Sequence, residues 1–115
     1  MVRALLLHNP RCSKSRQALA LLESAQVELE VRPYLEEPLS REELQGLASR
    51  LGGSVIEWTR TKEAAFKAAG LTLESSDSAL IEAMLAHPVL MERPLLVIGE
   101  RAIVARPPEL VRELL

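Results

Sequence analysis

Between Ala4 and Leu7 the chain is apolar without interruption, and the run ends at Asn9 and Pro10, residues that favour turns. An apolar run this short and so bounded predicts a buried strand. Ala18, Leu19, Leu22 and Ala25 then recur at helical spacing, which predicts a helix reaching about Ala25. In VELEVRPY the pattern alternates, with Val27, Leu29 and Val31 on one face and Glu28, Glu30 and Arg32 on the other, as in a half-exposed strand. Two strands joined by a helix through short loops make a βαβ unit with parallel strands and a right-handed crossover.

Pro33 and Pro38 interrupt this texture, and from Ser40 the chain turns helical. SREE is a capping box, and Leu44, Leu47, Ala48 and Leu51 follow on one face before Gly52 and Gly53 stop the helix. Further helices are expected near Val55 to Arg60, Glu63 to Ala69 and Ser78 to Ala86, with Gly70 and Pro88 as stops. After Arg93-Pro94, LLVI, the turn GER and AIVA read as a β-hairpin. Pro107-Pro108 opens a last helix carrying Leu110, Val111, Leu114 and Leu115. The order predicts an α/β fold: a four-stranded mixed sheet of thioredoxin type, with its core in residues of about 1–35 and 90–115 and a helical insertion of about 38–88. A single domain over residues 1–115 is expected.

Composition narrows the function. The balance of 14 Lys+Arg against 16 Asp+Glu gives a net charge of −2, which argues against a nucleic-acid groove or an anionic membrane surface. No stretch approaches the roughly 20 apolar residues of a membrane span. One cysteine makes no internal disulfide, and two separated histidines make no metal cluster, so no metal is expected and a reducing, cytoplasmic location is.

The lone thiol, Cys12, falls in the loop after the first strand, in the first turn of the following helix. Free backbone N–H groups and the positive end of the helix dipole favour thiolate over thiol and also bind oxyanions. Arg11, Lys14 and Arg16 place positive charge in the same turn, favouring a pKa below the free value of ~8.5. A cysteine used only as a small hydrophobe belongs in apolar surroundings, and RCSKSR supplies none.

HNPRCSKSR resembles the active-site loop of the glutaredoxin-dependent arsenate reductase family, which has a thioredoxin-like fold with a helical insertion. EWTRTKE around Arg60, LMERPLLVI around Arg93 and VARPPE around Arg106 resemble, in the same order, the segments carrying that family's oxyanion-binding arginines. The resemblance implies Cys12 as nucleophile and Arg60, Arg93 and Arg106 as ligands of a tetrahedral oxyanion, whose charge guanidinium groups neutralise through bidentate contacts. It places a histidine at His8, which either orients the thiolate or oxyanion or simply ends the strand. Pro94 falls where such folds place a cis-proline facing the cysteine. Trp58, Thr59, Met84 and Met91 read as packing, and His87 as a helix end.

Studied members of the family carry Gly-Thr after the cysteine, where this chain has Ser13-Lys14, as in a shorter, less characterised branch. Related thiol-switch regulators often have Cys-x-x-Cys; Ser15 occupies the second position here and forbids a local disulfide. The implied activity is reduction of arsenate to arsenite through a Cys12 adduct. With no internal resolving cysteine, glutathione as co-substrate and then glutaredoxin complete it. The alternatives are a glutathione-dependent thiol oxidoreductase acting on another substrate and a non-catalytic thioredoxin-like binding module or regulator.

Overall fold

The computed structural model describes residues 2–115, and the chain divides into two units, Met1–Glu37 with Arg93–Leu115 and Pro38–Glu92. The first holds a sheet of four strands: β1 (Val2–His8), β2 (Val27–Pro33), β3 (Leu95–Ile98) and β4 (Arg101–Val104), in the order β2-β1-β3-β4. β1 pairs in parallel with β2 through the crossover helix α1 (Ser13–Ser24), while β3 runs antiparallel to both β1 and β4. This is the mixed, thioredoxin-like arrangement that the apolar patterning predicts.

The core explains the order of elements. Ala4 and Leu6 of β1 pack with Ala18 and Leu22 of α1, Leu96 of β3, and Val111 and Leu114 of the C-terminal segment. Each fully buried leucine or valine stabilises the fold by about 1.5–3 kcal/mol. The central strand β1 therefore reads as a continuous apolar run. The edge strand β2 keeps the expected alternation from Val27 to Glu30 but loses it after that, where Val31 is 39% accessible and Arg32 and Pro33 are half-buried.

Two expected α-helices are shorter and tighter. The last segment is a 3-10 helix, Pro108–Glu113, whose Leu110 N–H bonds the Pro107 carbonyl three residues back, the tighter winding common in short terminal pieces. Its period of three buries Pro108, Val111 and Leu114 and leaves Leu115 outside, 48% exposed. Likewise Val55–Trp58 forms a single 3-10 turn, where a helix to Arg60 was expected.

The second unit contains α2 (Arg41–Leu51), α3 (Ala64–Ala68) and α4 (Asp77–Ala86). The Ser40–Glu43 capping box forms in both directions, and Gly52, at a positive φ of +69° that favours glycine, ends α2. Arg41 grips Glu82 through two contacts of 2.7 and 2.9 Å, joining α2 to α4 at the surface, where such a pair adds little stability. Leu44, Leu47, Trp58, Phe66, Leu80 and Met84 are buried in this unit. A bridge between Thr59 and Met91 ties its last segment to the 3-10 turn.

Candidate active site

The register of the sheet assembles the site. Leu7 pairs with Leu95, and Leu95 with Val104. One step beyond these pairs, the carboxyl end of β1 and the segments Arg93-Pro94 and Ala105-Arg106 fall at the same end of the sheet. The Ala105 N–H donates to the Pro94 carbonyl at 2.9 Å, extending the ladder there. Arg93-Pro94 and Arg106-Pro107 are both cis. Pro94 is buried, and Arg106 is exposed at the close of β4.

Cys12 is the N-cap of α1, half-buried, with extended backbone angles, and its carbonyl accepts the Arg16 N–H at 3.0 Å. The loop that delivers it is tied by its own polar groups. Asn9 receives the Cys12 N–H at its carbonyl and the Arg11 N–H at its side-chain oxygen, both at 3.0 Å. Arg16 reaches back to the Pro10 carbonyl at 2.9 Å.

Ser15 is fully buried on the first turn of α1. Its hydroxyl accepts the Asn9 N–H at 3.0 Å and lies 2.7 Å from Nδ1 of His8. Where a second cysteine would make a disulfide switch, this serine instead bonds the loop to the end of β1. His8 is held below its ordinary pKa, first by burial and then by the positive charge of Arg16. It is therefore neutral at pH 7, and a neutral imidazole bonded through Nδ1 to a hydroxyl is a positioning arrangement.

A linkage effect follows. The unfolded chain takes up a proton at His8 near pH ~6.5 that the folded chain refuses, so stability falls as pH drops through that value. Denaturant midpoints followed from pH 7.5 to 5 should decline more steeply in the native sequence than in His8→Gln. Equal slopes would mean that His8 is not kept neutral by the fold.

The Cys12 thiol is driven in the opposite sense to an ordinary buried thiol. Burial raises its pKa, but the backbone N–H groups of Ser15 and Lys14 and the hydrogen bond and charge of Arg93 outweigh burial and bring it below the usual cysteine value. Beyond the flanking basic residues that the sequence singles out, the hydrogen bond and charge that favour the thiolate thus come from an arginine some eighty positions away. Arg93 is half-buried, and its pKa is raised: burial opposes its charge, while Cys12 and the buried Tyr34 favour it. Its buried Nε–H has no acceptor among the described residues. Sequence reasoning passed over Tyr34, because a single tyrosine after a strand carries no motif.

In the helical unit, Arg60 donates to Glu63 at 2.9 Å and approaches Glu92 at 3.9 Å, and its backbone N–H bonds the Leu90 carbonyl at 2.7 Å. Trp58, Thr59, Met84 and Met91 are buried packing residues, and His87 caps the end of α4. Among the described residues no cluster of His, Cys, Asp or Glu suits a metal ion, and no helix is long and apolar enough to cross a membrane.

The sequence profile of the ArsC family matches residues 7–114. The chain belongs to the ArsC family. An arsenate reductase of Haemophilus influenzae is 41% identical over 113 residues, covering 96% of this chain and 97% of its own. An uncharacterised Escherichia coli protein, YfgD, is 48% identical over 109 residues, covering 93% and 92%. The solved structure of an arsenate reductase from Vibrio cholerae superposes with a TM-score of 0.93 at 43% identity, covering 99% of this ArsC-family chain and 98% of its own.

Proposed function

We propose that this ArsC-family protein is a cytoplasmic arsenate reductase in which Cys12 is the nucleophile, Arg93 and Arg106 hold the oxyanion, and external thiols supply the electrons. The observation that carries this reading is the pairing of Cys12 with Arg93: a thiol with lowered pKa at a helix N-terminus, beside a guanidinium that keeps a buried donor without a protein acceptor. A tetrahedral oxyanion satisfies that donor and the free N–H groups of the first turn of α1. The names of the relatives at about 40% identity support arsenate as that oxyanion.

The Cys12 thiolate attacks arsenic, forming an S–As bond as one oxygen leaves as water after taking up two protons. Arsenic stays at +5 in this adduct. Glutathione and a glutaredoxin thiol then give up two electrons and become a mixed disulfide, arsenic falls to +3, and Cys12 leaves as thiolate. The net change is arsenate plus two thiols to arsenite, disulfide and water. Cys12 is the only cysteine of the chain, so neither second thiol comes from within. Neutral His8 and Ser15 position the loop, and Pro94 shapes its facing wall. Arg60 is already engaged by the carboxylates of Glu63 and Glu92 and is not needed for this step.

The test is NADPH oxidation coupled through glutathione reductase, with arsenite measured directly. Complete mixtures should make arsenite, and omission of either glutathione or glutaredoxin should reduce the rate to that of the protein-free control. Arsenate turnover sustained by neither thiol, or equal turnover without them, contradicts the proposal.

A further inference from the structure

A cleft of ≈ 210 Å³ lies between the loop that precedes Cys12 and the turn that follows β2, and the chemistry above does not use it. Pro10, Pro33 and Leu35 form much of its apolar lining, and Leu35 is 41% exposed. His8 pairs in parallel with Pro33, so the cleft opens at the carboxyl ends of β1 and β2, where ligand crevices form in sheets with parallel strands.

Two charged residues also line it, Arg11 and Glu36. Among the described residues, neither their guanidinium nor their carboxylate has an ion-pair or hydrogen-bond partner, and they do not pair with each other. Arg11 is also the residue immediately before the nucleophile. A small apolar cleft carrying one unengaged cation and one unengaged anion complements a short uncharged chain with a carboxylate and an ammonium group. Its volume admits one end of a small peptide, not an element of a folded partner.

We infer that this cleft seats the thiol co-substrate, a small zwitterionic peptide thiol of the glutathione class. A carboxylate meets Arg11, the ammonium meets Glu36, and the thiol follows the loop toward Cys12. This rests on the reductase reading above. Binding here is noncovalent, and it makes the attack on the Cys12 adduct effectively intramolecular.

The probe is S-methylglutathione, which has the charges of the tripeptide and no free thiol, titrated into the ¹⁵N-labelled Cys12→Ser protein. Saturable shifts are expected at Asn9, Arg11, Leu35 and Glu36, with Arg11→Ala and Glu36→Ala each weakening binding about tenfold. In the coupled assay both variants should raise KM for glutathione by a similar factor while KM for arsenate and kcat at saturating glutathione stay unchanged. Shifts elsewhere, no saturable shifts, or unchanged affinity in both variants would overturn the inference. So would a rise confined to KM for glutaredoxin, which assigns the cleft to a protein partner. The titration contains no arsenate, so a chain that fails to reduce arsenate leaves the cleft assignment standing, whereas a competent reductase with an unresponsive cleft overturns the assignment alone.

Discussion

Arg93→Ala is expected to lower kcat/KM for arsenate by roughly 10- to 100-fold and, in the same protein, to raise the pKa at which Cys12 is alkylated. The rate effect follows from losing a charge-assisted contact, which costs on the order of 1.5–3 kcal/mol. The pKa effect follows from the structure: among the described residues, Arg93 is the side chain whose hydrogen bond and charge favour the Cys12 thiolate, and its loss leaves the Ser15 and Lys14 N–H groups to oppose burial. Arg93→Lys separates the two roles. A lysine keeps the charge but not the planar fork, so the alkylation pKa should recover in part while arsenate use recovers less. An alkylation profile unmoved by either substitution would show that Arg93 does not act on the sulfur.

Cys12→Ser is expected to abolish arsenate reduction, a loss on the order of a thousandfold or more, because a serine hydroxyl is not ionised near neutral pH and cannot replace the thiolate. Stability should move the other way. Cys12 occupies the N-cap of α1 without a side-chain capping hydrogen bond, and serine is among the preferred N-cap residues. The inactive variant should therefore melt at or above the native temperature, by up to about 1 kcal/mol of added stability. A variant clearly less stable than the native protein would mean that the sulfur contributes packing which the capping argument overlooks. On the proposed mechanism the native residue gives up a helix cap for a nucleophile, a trade of stability for activity seen widely at functional sites.

Those parts of the fold in which local and tertiary preferences agree are legible in the amino-acid sequence alone. The buried run of β1, the helical spacing of α1 and the box at Ser40 each state one answer at every level, and each is found as read. The C-terminal segment differs from the expected α-helix because Leu110, Val111 and Leu114 fit both an α-helix and a 3-10 helix, and only in the fold does a period of three place Pro108, Val111 and Leu114 inside. At the candidate site, the position of Cys12 at the start of α1 is legible because that signal is local. The partner that tunes the thiol was legible only as a motif: three basic neighbours on the loop look sufficient, and the strand register that brings Arg93 to Cys12 is not visible until β1 and β3 are paired. Arg16 turns out to act on His8 and on the Pro10 carbonyl instead. Tyr34, which favours the Arg93 charge, left no trace in the sequence.

The central claim is that the Cys12 thiolate and an arginine-held oxyanion share one site. Protection of Cys12 from iodoacetamide tests it without thiols, redox partners or turnover. Arsenate, and less tightly phosphate or sulfate, should slow alkylation of the native protein along a saturating curve, and Arg93→Ala and Arg106→Ala should each shift that curve to roughly tenfold or higher oxyanion concentration. If arsenate leaves the alkylation rate unchanged, or protects both arginine variants as well as the native protein, the oxyanion does not bind at Cys12 through these residues and the account fails.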